Sequence, residues 1–175
     1  MAFWQNNNIE PKRQYRFVLR ISDLPTYIIK GVKKPGWKMT STPHQYLNHT
    51  FFYPGRVTWD DITFTIVDTV GDNSNGTKLI MDKLKEAGYT LPAEDDYNTI
   101  SKASATRAVG QVVIETIDAE GAPVESWVLN NAWITAATFG DLSYDQEALL
   151  NISLTLKYDN AFINIGGQSI PEHSF

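Results

Sequence analysis

The stretch Tyr53-Pro54-Gly55-Arg56-Val57-Thr58-Trp59-Asp60-Asp61-Ile62-Thr63-Phe64-Thr65-Ile66-Val67-Asp68 decides the fold class. A Pro-Gly turn leads through Trp-Asp-Asp into an alternating run, with Ile62, Phe64 and Ile66 on one face and Thr63, Thr65 and Val67 on the other. A period of two built from β-branched and aromatic residues predicts a strand with one covered side.

The same reading extends outward in both directions. Residues 14–21 alternate, with Tyr15, Phe17, Leu19 and Ile21 opposite Gln14, Arg16 and Arg20. A β-branched run over 27–32 follows the break at Leu24-Pro25 and ends in Lys33-Lys34-Pro35-Gly36. Residues 110–117 and 124–129 flank the turn Asp118-Ala119-Glu120-Gly121 and predict a hairpin. An extended segment over 132–139 precedes a turn at Gly140-Asp141. Leu150, Ile152, Leu154, Leu156 and Tyr158, set against Asn151, Ser153, Thr155 and Lys157, give the cleanest alternation in the chain. One helix is expected, over about 75–87, where Leu79, Ile80, Leu84 and Ala87 recur at helical spacing behind Asn and Ser caps and ahead of Gly88. Residues 37–53, rich in aromatics, His and Thr without strong alternation, read as a long early loop with some extended pairing. Residues 90–108 read as a polar loop carrying one helical turn, and 160–175, with Gly166-Gly167 and Pro171, as a flexible C-terminal arm. The expected architecture is mainly β: one domain over 1–159, an antiparallel β-sandwich or partly closed β-barrel with one flanking helix, followed by the arm.

Composition removes whole classes of function. A chain of 175 residues can bury one substantial core. A formal charge of -5 argues against an electrostatic grip on nucleic acid. With no cysteine there is no disulfide, zinc-thiolate site or thiol nucleophile. The start Met1-Ala2-Phe3-Trp4-Gln5-Asn6-Asn7-Asn8 lacks the basic and apolar regions of a signal peptide, so the Asn-x-Ser/Thr matches at Asn48, Asn75 and Asn151 read as chance. No apolar run approaches the ~20 residues of a membrane span.

Candidate chemistry is sparse. His44 and His49 fall on opposite faces if they share a strand, His173 is remote in sequence, and no carboxylate lies between Lys38 and Tyr53 to complete a metal set. Asp60-Asp61 and Glu94-Asp95-Asp96 lack the calcium-loop pattern and read as solvated turn carboxylates. The segment from Gly71 to Gly76 lacks the Lys-Ser/Thr of a phosphate loop and reads as a helix cap. No Gly-x-Ser-x-Gly elbow occurs. Trp37, Trp59, Trp127 and Trp133 read as core or interface residues. Neither a catalytic centre nor a cofactor is expected.

Four pieces then form an ordered set: Tyr15-Arg16-Phe17-Val18-Leu19-Arg20-Ile21; Pro54-Gly55-Arg56-Val57-Thr58-Trp59-Asp60-Asp61-Ile62-Thr63; Gly121-Ala122-Pro123-Val124-Glu125-Ser126-Trp127-Val128-Leu129-Asn130-Asn131-Ala132-Trp133-Ile134; and Phe139-Gly140-Asp141-Leu142-Ser143-Tyr144 followed by Ile152-Ser153-Leu154-Thr155-Leu156-Lys157-Tyr158-Asp159. As a set they resemble the tail tube protein family of contractile-tailed bacteriophages, the T4-like tube proteins, to which the inner tubes of type VI secretion and other contractile injection systems are related. The resemblance implies a non-enzymatic structural subunit that assembles into hexameric rings, stacked around a lumen that conducts DNA during genome ejection. It implies as partners further copies of the chain, a tail sheath protein, baseplate or initiator and tail terminator proteins, and in the lumen a tape measure protein and DNA bound without sequence specificity. The implied location is the virion tail, assembled in the host cytoplasm. By position, Lys33, Lys34, Trp37, His44, Tyr46, His49, Phe51 and Tyr53 would lie on a loop reaching the next ring, and Arg56, Trp59, Asp60 and Asp61 on the assembling strand. A baseplate-proximal initiator, a secretion-system tube protein and a carbohydrate-binding β-sandwich remain open as alternatives. A hydrolase using Asp60, Asp61 or the 94–96 acids lacks a base and an orienting group.

Overall fold

The computed structural model describes residues 10–71, 74–91, 97, 99–166 and 168–171. In chain order these form β1 (Phe17–Ile21), β2 (Ile29–Val32), β3 (Trp37–Tyr46), β4 (His49–Trp59), β5 (Ile62–Val67), α1 (Gly76–Glu86), α2 (Lys102–Val109), β6 (Val112–Ile117), β7 (Pro123–Asn130), β8 (Trp133–Thr138), β9 (Asn151–Lys157), β10 (Asn160–Ile165) and β11 (Gln168–Ile170). Every described strand pairing is antiparallel.

The alternation predicted for β5 places Ile62, Phe64 and Ile66 inside, at 3% exposure or less. This strand pairs with β9 in a register that sets Ile62 opposite Leu156, Phe64 opposite Leu154 and Ile66 opposite Ile152, so one continuous apolar face is built from two long-range strands. Adding β2 and β8 gives a four-stranded sheet of order β2-β5-β9-β8. The second sheet, of order β1-β6-β7-β10-β11, turns Leu19, Ile114, Leu129 and Ala161 toward the first, and the facing sets form one core. The arrangement is sandwich-like, and among the described residues β1, β2, β8 and β11 are the edge strands.

Asp68, the last residue of the deciding stretch, fastens the helix to the sandwich. Its Oδ1 accepts from the backbone N–H groups of Gly76 and Thr77, and its Oδ2 accepts from the Thr77 hydroxyl, while the Asn75 side chain accepts from Lys78 N–H as N-cap. A carboxylate on these orphan donors also complements the positive end of α1. Gly76 lies so close to the core that an added Cβ would stand 3.1 Å from the ends of both Ile66 and Ile152. The buried Lys83 of α1 reaches Asp23 at 3.1 Å and ties the helix to the corner between β1 and β2. No described helix is long and apolar enough to cross a membrane.

Four sequence expectations require correction. Gln14 and Tyr15 form a turn ahead of β1, and Thr26–Ile28 form a short 3-10 turn ahead of β2, so both strands start later than their alternation suggests. Within the 90–108 segment lies a second helix, α2, whose Ser101 and Ser104 form a reciprocal capping box and whose Ala105, Ala108 and Val109 are buried. The long early loop is a hydrogen-bonded hairpin, β3–β4. The expected arm begins instead as β10, which pairs with β7 along its whole length from Asn160 opposite Asn130 to Ile165 opposite Glu125. A domain boundary at Asp159 would cut through the five-stranded sheet.

Candidate assembly surface

β3 and β4 are ten and eleven residues long, and every residue from Trp37 to Thr58 is exposed. An isolated two-stranded hairpin is marginally stable in water because neither face has cover. Here both faces are rich in large side chains. The pairs Thr42 with Tyr53, His44 with Phe51 and Tyr46 with His49 share one face, where the His49 and Phe51 rings approach to 6.5 Å. The pairs Trp37 with Trp59, Met39 with Val57 and Pro43 with Phe52 share the other. Trp37 is 57% exposed and Phe52 69%. The two histidines therefore lie on different strands of the hairpin, side by side on one face, and not on opposite faces of a single strand; the chain reverses between them through Leu47, at φ 51°. The Pro-Gly of the deciding stretch forms an irregularity within β4, not the turn expected before a strand. A Cβ on Gly55 would fall 3.0 Å from the Thr40 carbonyl oxygen, and Arg56 N–H bonds the Thr40 hydroxyl at 3.1 Å.

Among the described residues, the hairpin is gripped at its root. Lys33 N–H bonds Thr63 O at 2.9 Å and Asp60 N–H bonds Gly36 O at 2.8 Å. Lys38 meets Asp60 at 2.8 Å, and its ammonium holds the Asp60 carboxyl below the usual range. Asp61 lies 3.7 Å from Lys157 of β9, so the two adjacent acids are engaged separately, one with the hairpin and one with the sheet. The Trp59 ring packs at 5.9 Å from Tyr158. Burial, and after it the charges of Asp60 and Asp61, push the Tyr158 hydroxyl up to about 12.

A second fastening escapes sequence reading. Glu125 of β7 is buried beneath two ammonium groups: Lys34, just before the hairpin, at 2.7 Å, and Lys12 of the segment preceding β1. The Trp127 indole N–H donates to the same carboxylate at 2.6 Å. Burial alone would raise this carboxyl, but Lys12, Lys34 and Trp127 outweigh it and hold it at about 2, against an ordinary 4.5. The sequence offers only the Glu-x-Trp spacing that puts 125 and 127 on one face. A group depressed on folding contributes stability in full above its unfolded value and loses it as pH falls toward the folded one. Glu125→Gln is therefore expected to cost about 2–3 kcal/mol at neutral pH, discounted for the half-exposed lysines. The gap between variant and wild type should close as the pH falls from about 4.5 to about 2. Denaturant titration across that range checks it, and a constant gap would mean that the charge of Glu125 is not what matters.

Of the expected site residues, Lys33, Trp37, His44, Tyr46, His49, Phe51, Tyr53 and Arg56 fall on the hairpin or its approach, Lys34 reaches Glu125, and Trp59, Asp60 and Asp61 form the root. Trp59, Trp127 and Trp133 are half-buried, leaving Trp37 as the one exposed tryptophan among the described residues. The acids Glu94-Asp95-Asp96 and His173 lie outside the described residues. Among the described residues, no group of three His, Asp or Glu side chains is arranged to hold a metal ion.

No protein-family model and no curated protein matches the sequence. Solved structures do match in fold. A chain in the cryo-EM structure of the anti-feeding prophage cap, described as a tube terminating cap, superimposes with a TM-score of 0.67 at 17% identity, over 95% of this chain and all of that one. A chain from the sheath/tube terminator of an extracellular contractile injection system in its extended state gives 0.65 at 16% identity, over 89% and 98%. One from the sheath-tube complex of the same kind of system gives 0.64 at 15% identity, over 94% and 99%. The likeness is one of fold, shared with chains from these contractile particles over nearly the whole length of each chain.

Proposed function

We propose that this chain is a structural subunit of a contractile-tail tube, assembling into hexameric rings that stack around a lumen. The observation that carries the reading is the β3–β4 hairpin: two long strands paired with each other, with aromatic and apolar residues on both faces and no cover among the described residues. Such an element gains its stability from a neighbour. In this reading it lies against the adjoining copy and the next ring, the tube carries DNA during genome ejection, and the formal charge of -5 suits a lumen past which a polyanion slides. A sheath, a baseplate initiator, a terminator and a tape measure protein would be its partners in a virion tail.

A terminator-type role is the second reading, favoured by the cap and terminator particles among the fold relatives. Negative-stain microscopy of the purified protein separates the two. Open-ended tubes of stacked rings are expected for the tube subunit, and single rings that do not stack for a terminator. A monomer at every concentration would remove both. A phage sheath gene beside the coding gene would favour the phage tail over an injection or secretion machine.

A further inference from the structure

Resting on the ring-forming reading, we propose that the lateral contact within the ring has, beside the hairpin, an ionic part, the acidic loop 139–149 of one copy seating in a basic cleft between β1 and β2 of the next. The cleft, of about 470 Å³, lies where the two sheets part at their edge strands β1 and β2. Five cations line it: Lys12, Arg13, Arg16, Lys30 and Lys34. Two carboxylates pair with them, Glu10 with Arg16 and Glu125 with both Lys12 and Lys34. Arg13 and Lys30 have no ion-pair partner among the described residues. Thr116, on the cleft wall and 5% exposed, has a hydroxyl with no hydrogen-bond partner among those residues. This excess of positive charge sits on a chain whose formal net charge is -5.

The complementary surface lies at the opposite edge of the four-stranded sheet, three strand spacings or roughly 14 Å away. There β8 is followed by residues 139–149, exposed throughout. The loop holds Asp141, Asp145 and Glu147, no cation, and no ion pair among the described residues. Its Leu142 is 88% exposed and Tyr144 is fully exposed, so its apolar groups also lack cover. Complementary surfaces on opposite edges define a head-to-tail contact, the kind that closes into a ring. Unlike charges across it would steer encounter and fix register, and like charges would oppose it.

Head-to-tail geometry gives a test that a nonspecific charge effect would fail. The variant Arg13→Glu/Lys30→Glu has an acidic cleft and an acidic loop, and Asp145→Lys/Glu147→Lys has a basic cleft and a basic loop. Each alone should need a protein concentration roughly 100-fold higher to assemble, by the cost of opposing like charges. An equimolar mixture should assemble at wild-type concentrations as rings in which the two alternate. Sedimentation velocity and microscopy read the outcome, with circular dichroism checking that these exposed substitutions leave the fold intact. Wild-type rings unaffected by either variant, or variants that fail alone and fail mixed, would overturn the ionic contact and leave the tube reading standing. A wild type that forms no ring would sink the tube reading itself.

Discussion

Replacing 38–58 by a short Gly-Ser link is expected to leave a folded monomer that no longer assembles. The two ends to be joined, Trp37 and Trp59, are directly opposed in the hairpin, so their Cα atoms stand about 5 Å apart and a few residues close the gap. The deletion spares the root contacts of Lys33 with Thr63, Gly36 with Asp60, and Trp59 with Tyr158, and touches nothing in the core. Among the described residues it costs the body the exposed Lys38–Asp60 pair, worth little in solvent. Assembly loses far more. Tyr46, Leu47, Phe52 and Tyr53 are each between 58% and 87% exposed, and burying four such side chains against a neighbour offers roughly 6–12 kcal/mol before the entropy of association is subtracted. The circular dichroism spectrum and melting temperature should stay near those of the wild type while rings and tubes vanish from micrographs. Persisting tubes would move the assembly role elsewhere, and an unfolded product would make the hairpin part of the domain.

The core was legible because burial on one face leaves a period of two. Ile62, Phe64 and Ile66, and Ile152, Leu154 and Leu156, all read as interior from the sequence, and all are interior in the structure. The turn between β6 and β7 was legible as well, since Asp118 accepts from the Glu120 and Ala122 N–H groups and Gly121 takes φ 86°. The hairpin was not, because strands exposed on both faces carry no one-sided pattern. Helix α2 hid behind a Ser-x-x-Ser box where Glu or Gln more often stands at the third helical position. The grip of Lys12 and Lys34 on Glu125 spans 113 and 91 residues, and nothing local encodes such a meeting. For the same reason the sequence could point to the approach of the hairpin at Lys33 and Lys34 without revealing that Lys34 is tied to Glu125 of β7.

Truncation after Asp159 is expected to destroy the fold, the opposite of what Gly166-Gly167 and Pro171 suggest when read as the marks of an arm. The loss would be β10 and its full register on β7. A six-residue antiparallel ladder forms several backbone hydrogen bonds at a net ~0.5–1.5 kcal/mol each. Ala161, at 2% exposure, and the half-buried Phe162 and Ile163 add apolar burial. Together these approach the ~5–15 kcal/mol that separates a typical domain from its unfolded state. The cut would also bare the edge of β7, where Val128 and Leu129 are buried, as a template for aggregation. A milder cut after Gly166 removes the three-residue edge strand β11 and spares β10, so it should remain soluble with a cooperative melt. The longer truncation should be insoluble or lack a cooperative transition. If it instead melts like the wild type, β10 is a passenger on the sheet and the domain does end at Asp159.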